Sequence, residues 1–157
     1  MPKILFVCTG NMYRSPLAAE IFIQKLREDG KSGNWVVASA GTWTKPDQPA
    51  PQDAQLTAQK LGLDLGRHRT RLVDADMLDN QDLILVMESG HKEALAVEFP
   101  IARKKIYLLS EVVDQQVYDL PDPMKSGQVI DELAADISTL IDRGYTNILR
   151  LAKKYSN

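Results

Sequence analysis

A chain of 157 residues with a formal net charge of -2 has the length of one domain and can bury a proper core. That charge gives no electrostatic case for nucleic acid or an anionic membrane as partner. The composition, 44% hydrophobic and 25% charged, excludes long disorder, and a single cysteine excludes an internal disulfide.

The sequence opens on an apolar run of strand length, Ile4-Leu5-Phe6-Val7, with no apolar signal core before it and no stretch of transmembrane length anywhere. With the reducing compartment that one cysteine fits, this gives the expectation of a cytoplasmic protein. A loop begins at Cys8, and a helix runs from about Ser15 to Glu28, where Leu17, Ile21, Phe22 and Leu26 form one apolar stripe that stops at Asp29-Gly30. Asn34 to Gly41 holds a second strand. A Pro-rich loop, Thr42 to Pro51, leads to a helix from about Gln52 to Leu61, ended by Gly62. Leu83-Ile84-Leu85-Val86-Met87 has the pattern of a strand buried on both faces. A short helix around Gly90 to Glu98 and a strand, Lys105 to Leu109, follow. The last helix spans Val129 to Lys154, with Gly144 placed to bend it.

Such alternation calls for right-handed crossovers and an α/β fold with a parallel sheet and helices on both faces, in one domain covering residues 1–157. Ligands of such sheets sit beyond the carboxyl ends of the strands, where Cys8, Ser39 and Glu88 emerge.

The stretch from Cys8 to Pro16 carries the most chemistry. A loop between a strand and a helix start turns successive N–H groups toward one point, close to the positive end of the helix dipole, and so binds an oxyanion, above all phosphate. Five residues, Thr9, Gly10, Asn11, Met12 and Tyr13, separate the Cys8 thiol from the Arg14 guanidinium. A loop of that length wraps round a tetrahedral dianion with sulfur beneath it and a bidentate arginine fork at its side. A thiolate there is a nucleophile, and the hypothesis is that Cys8 attacks phosphorus. A lone cysteine at the end of a buried strand is ordinarily a small apolar filler. The Gly, Asn, Arg, Ser and Pro around this one argue against that.

Val7-Cys8-Thr9-Gly10-Asn11-Met12-Tyr13-Arg14-Ser15-Pro16 resembles the phosphate loop of the low-molecular-weight protein tyrosine phosphatases, in a bacterial-type member. The family pattern is roughly V-C-x-G-N-x-C-R-S-P-x-A-E. Tyr13 replaces its second cysteine, and the Glu stands one place later, at Glu20. The resemblance implies a four-stranded sheet in the order 2-1-3-4. It also implies that Tyr118-Asp119-Leu120-Pro121-Asp122-Pro123-Met124 is the family's acid loop, in which the Asp directly before Pro, here Asp122, is general acid and base. Asp119 is the competing carboxylate and suits a turn or positioning role.

The implied reaction is metal- and cofactor-free hydrolysis of a phosphate monoester, most simply phosphotyrosine, through a cysteinyl-phosphate. The amides of Thr9 to Arg14 hold the dianion, and Ser15 is placed to donate to the Cys8 sulfur or to cap the helix. Asn11 suits left-handed backbone and, as the family implies, is held by Ser39 and His68. His91 stands at a polar helix start and receives no role.

The substrate wall departs from the family pattern. Eukaryotic members carry two tyrosines after Asp-Pro, where Met124 and Lys125 stand here, leaving Met12, Trp43, Met124 and Lys125 as wall candidates, with Tyr13 a further aromatic near the mouth. Bacterial members with Thr at the Met12 position are associated with phosphoarginine and those with Ile with phosphotyrosine, and Met12 falls with the apolar class.

The expected partner is a phosphorylated protein, and the expected state a monomer. Protein arginine phosphatase is the alternative substrate reading. An arsenate reductase needs further cysteines to pass oxidation along, which this chain lacks, and a non-catalytic phosphopeptide-binding module is the rival of another class.

Overall fold

The computed structural model describes residues 1–156. Its sheet has four parallel strands, β1 (Lys3–Cys8), β2 (Val36–Gly41), β3 (Leu83–Val86) and β4 (Ile106–Leu108), in the order β2-β1-β3-β4. Among the described residues seven α-helices join and follow them: α1 (Arg14–Glu28), α2 (Gln52–Lys60), α3 (Ala75–Asp79), α4 (Ser89–Glu98), α5 (Leu109–Asp114), α6 (Pro123–Ser126) and α7 (Ile130–Tyr155).

The alternation of β1 decides the layering. Ile4, Phe6 and Cys8 enter a core built with α1, α2, α5 and α7, while Leu5 and Val7 enter a second core with Leu78 of α3 and Leu95 of α4. Leu83 and Leu85 of β3 join the first core, Ile84 and Val86 the second, so β3 and all of β1 after Lys3 are apolar because both faces are covered. Phe6 packs its ring 5.9 Å from that of Phe22, which fixes α1 over the strand from which the Cys8 loop leaves.

Three helices have no counterpart in the sequence reading: α3, α5 and α6, of five, six and four residues. Helices so short complete less than two turns and leave no periodic stripe to read. Gly144 lies within one helix that runs from Ile130 to Tyr155. A Cβ at that position would collide with the Val113 side chain, so the glycine serves the close approach of α7 to α5.

Candidate active site

β1 stops at Cys8 and α1 starts at Arg14, so the intervening loop lies at the carboxyl end of the central strand, as expected for a doubly wound sheet. Asn11 takes φ 57°, the left-handed turn that folds the loop back on itself. Its side chain is completely buried and fully used. Nδ2 donates to Ser15 Oγ and to Ser39 Oγ, each at 2.9 Å, and Oδ1 accepts the Arg71 N–H at 2.9 Å. The Asn11 carbonyl accepts from His68 Nε2 at 2.7 Å, which assigns the ring proton to that nitrogen. Burial holds the His68 pKa below its ordinary value, in keeping with a neutral ring. The last residue of β2 passes close under the loop: a Cβ on Gly41 would stand 2.5 Å from the Thr9 carbonyl oxygen. Thr42 and Trp43 then donate their N–H groups to the carbonyls of Cys8 and Thr9, at 2.9 and 3.0 Å.

Cys8 is 2% exposed, and its sulfur lies 3.0 Å from Ser15 Oγ. That hydroxyl already accepts from Asn11 and has Ala40 O at 3.3 Å, so its hydrogen serves either the sulfur or that carbonyl. Ser15 lies inside α1 and does not cap it; the N-cap position is Tyr13, without a side-chain cap. The hydroxyl is thus turned to the sulfur side rather than to the helix amides.

Arg14 is equally buried, at 2%. Nη1 donates to Glu88 Oε2 at 2.7 Å and to the Leu120 carbonyl at 2.8 Å, which uses both of its hydrogens. Nη2 has only distant partners, Thr9 Oγ1 at 3.5 Å and Asp122 Oδ2 at 3.8 Å. The Nε and Nη2 edge is the one suited to a bidentate grip on a planar face of phosphate oxygens. Glu88 lies two residues past β3, at the N-cap of α4, and Leu120 in the segment before α6, so two distant parts of the chain converge on one guanidinium.

Asp122 caps α6 through Oδ1, which accepts the Met124 N–H at 3.0 Å, with Pro123 in the first helical position. This leaves Oδ2 on the side of Arg14. Asp119 Oδ1 accepts the Ser89 N–H at 2.8 Å and so pins this segment to the start of α4. Cys8, Gly10, Met12, Tyr13, Arg14, Asp122, Pro123 and Met124 line a small cleft of about 60 Å³. Tyr13 stands in its wall with Oη donating to Asp53 Oδ1 at 3.0 Å, and burial followed by that hydrogen bond pushes its pKa up to about 12.

Of the expected wall residues, Met12 and Met124 line the cleft, whereas Trp43 and Lys125 do not. Trp43 is 83% exposed: its backbone is tied to Thr9 while its ring lies in solvent. Lys125 is exposed on α6. Two residues of the site received no role from the sequence, Glu88 and His91. The signal available was their spacing across a strand end and a helix start, a carboxylate at the cap and a ring three places on. Among the described residues no group of three His, Cys, Asp or Glu side chains could hold a metal ion, and no helix is long and apolar enough to cross a membrane.

Cys8, Arg14 and Asp122 thus meet at one small cleft beyond the strand ends of a doubly wound sheet. The family described as low molecular weight phosphotyrosine protein phosphatase matches residues 3–156, and the chain belongs to it. It is 35% identical over 140 residues to a putative low molecular weight protein-tyrosine-phosphatase of Klebsiella pneumoniae, covering 89% of this chain and 90% of that one. It is 32% identical over 142 residues to a protein-arginine-phosphatase of Geobacillus stearothermophilus, covering 90% and 92%. Among solved structures, the YwlE arginine phosphatase in a cysteine-to-serine variant, with its active-site serine phosphorylated, superimposes with a TM-score of 0.87 at 27% identity, covering 98% of this chain and 99% of that one.

Proposed function

We propose that this protein hydrolyses phosphate monoesters on phosphorylated proteins, phosphotyrosine foremost, with Cys8 as nucleophile and Asp122 as general acid and base. The observation that carries the reading is the convergence of Cys8, Arg14 and Asp122 on one small cleft. The dianion settles among the amides of Thr9 to Arg14 with its oxygens on the free edge of Arg14. Cys8 Sγ bonds to phosphorus as the bond to the ester oxygen breaks, and Asp122 gives that oxygen its proton. Water then attacks the cysteinyl-phosphate, loses a proton to the Asp122 carboxylate, and the thiolate departs. Ser15 Oγ, 3.0 Å from the sulfur, stabilises the departing negative charge. Arg14 and the amides act in both steps on charge that is already paired with fixed dipoles, a contribution of several kcal/mol in typical sites.

The phosphotyrosine reading rests on the wall. Met12, Tyr13 and Met124 give an apolar and aromatic rim, Tyr13 is held in place by Asp53, and apolar surface favours an aryl group over a guanidinium. Phosphoarginine is the second reading, on the strength of the Geobacillus relative named as a protein-arginine-phosphatase.

The test is hydrolysis of para-nitrophenyl phosphate in the presence of a chelator by the wild type, Cys8→Ser and Asp122→Asn, followed by phosphotyrosine and phosphoarginine peptides. Loss of turnover in the first variant and a severe reduction in the second are expected, with the tyrosine peptide preferred. Wild-type protein that binds phosphate without turning over either peptide would be a binding module instead.

A further inference from the structure

His91 lies in the first turn of α4, 6% exposed, and the chemistry above makes no use of it. Its two ring nitrogens have different partners. Nδ1 accepts the backbone N–H of Glu88 at 3.1 Å, which assigns the ring proton to Nε2. Nε2 then donates to Thr9 Oγ1 at 2.8 Å, with Glu88 Oε2 3.4 Å away on the same side. A protonated Nδ1 could not accept from Glu88, so the arrangement requires a neutral ring. Burial, and after it the positive charge of Arg14, supplies one by holding the His91 pKa at about 4; Glu88, Asp119 and Asp122 pull the other way.

The residues that His91 bonds, Glu88 and Thr9, flank Arg14. Glu88 Oε2 accepts from Nη1 at 2.7 Å, and Thr9 Oγ1 faces Nη2 at 3.5 Å. Glu88 caps α4 just past β3 and Thr9 opens the phosphate loop, and they lie 79 positions apart in sequence. The ring is the bridge between them.

We propose that His91 is a positioning residue for Arg14: bonded to the Glu88 backbone on one side and to the Thr9 hydroxyl on the other, it fixes the end of β3 against the start of the phosphate loop and so sets the direction in which the free edge of Arg14 meets the phosphate. The inference rests on the phosphate-site reading and adds the residue that aligns its two halves. It separates two functions of one ring. Nδ1 caps α4, which is structural, and Nε2 acts on the loop, which is functional.

Three substitutions part these functions. In His91→Asn the side-chain carbonyl takes the place of Nδ1 and keeps the cap, but the chain is too short to reach Thr9. In His91→Gln the terminal NH2 reaches the place of Nε2 and can donate to Thr9. Thr9→Val removes the hydroxyl from the other end with little change of shape. The measurements are calorimetric binding of inorganic phosphate, kcat and KM for para-nitrophenyl phosphate, and the melting temperature of each variant.

His91→Asn and Thr9→Val are expected to weaken phosphate binding by roughly tenfold, the worth of one hydrogen bond, and to lower kcat/KM by at least as much with melting close to wild type. The double variant should lose little more than either single one, since both break the same contact. His91→Gln should recover most of the loss. A folded His91→Asn with wild-type phosphate affinity and kcat/KM overturns the proposal, as does equal loss in Asn and Gln that follows the melting temperature. If the wild type binds phosphate but turns over no ester, the hydrolase reading fails, while the phosphate affinities still decide the role of His91.

Discussion

Cys8 Sγ and Ser15 Oγ face each other at 3.0 Å across the base of the loop, seven positions apart in sequence. The first turn of α1 brings the hydroxyl back beneath the sulfur, and the contact is stronger when sulfur carries negative charge. In the proposed reaction the sulfur carries that charge as it attacks phosphorus and regains it as it departs.

Ser15→Ala should therefore slow breakdown of the cysteinyl-phosphate more than its formation. The expected outcome is a fall in kcat of roughly ten- to a hundredfold, with a smaller effect on kcat/KM and a burst of nitrophenol in rapid-mixing experiments. Equal loss in both parameters without a burst would place the hydroxyl's contribution in the first step.

Gly41→Ala should damage the loop without touching any group that reacts. The new Cβ would come within 2.5 Å of the Thr9 carbonyl oxygen, a backbone atom that cannot move aside alone. A loss of about 1–3 kcal/mol in stability is expected, together with weaker phosphate binding as the Thr9 amide shifts. Denaturant unfolding and phosphate titration check the two effects. Unchanged stability and binding would show that the loop has slack to give.

Acid should weaken the fold before it protonates most carboxylates. His91 titrates at about 4 in the folded protein against an ordinary 6.5, so between those two values the unfolded chain takes up a proton that the folded one refuses. The contribution of His91 to stability is whole above pH 6.5 and declines between 6.5 and about 4, by on the order of 3 kcal/mol in all, at about 1.4 kcal/mol for each pH unit between the two values. His68, also held down by burial, adds to the loss in the same direction. Melting curves across that range should show a smaller acid decline in His91→Gln; an identical decline would assign it to other groups.

Oxidation should disable the protein durably. Cys8 is the only cysteine in 157 residues, and the loop position where the family pattern places a second one is Tyr13. A sulfenic acid on Cys8 has no internal thiol to condense with. After brief peroxide treatment, activity should return only on addition of an external thiol, and Tyr13→Cys should lessen that dependence. Rapid unaided recovery of the wild type would overturn this.

The legible part of the site was the part written contiguously. Cys8 to Ser15 and the Asp122-Pro123 pair are local patterns with a mechanism attached, and the strands that position them announce themselves by apolar runs. What could not be read is the set of contacts around Arg14. Its partners Glu88 and the Leu120 carbonyl lie 74 and 106 positions away, and a carbonyl carries no sequence signal at all. His91 reads as a helix-start residue because it is one; its second nitrogen acquires a partner only when β1 and β3 lie side by side. Trp43 stands outside the cleft lining for the converse reason. An aromatic beside a functional loop is a fair candidate by position, but here the backbone rather than the ring makes the contact.

β1 is paired on both edges, with β2 and with β3, and buried on both faces. A segment so enclosed belongs to the last part of a domain to open, whereas residues 115–128, which carry Asp122, contain only a four-residue helix. Cys8 and Asp122 thus stand on parts of unequal persistence. Amide exchange should find the Cys8 backbone among the slowest in the molecule and the Asp122 segment among the faster. Alkylation of the cysteine by bulky reagents would then keep time with movements of that segment and not with unfolding of the sheet.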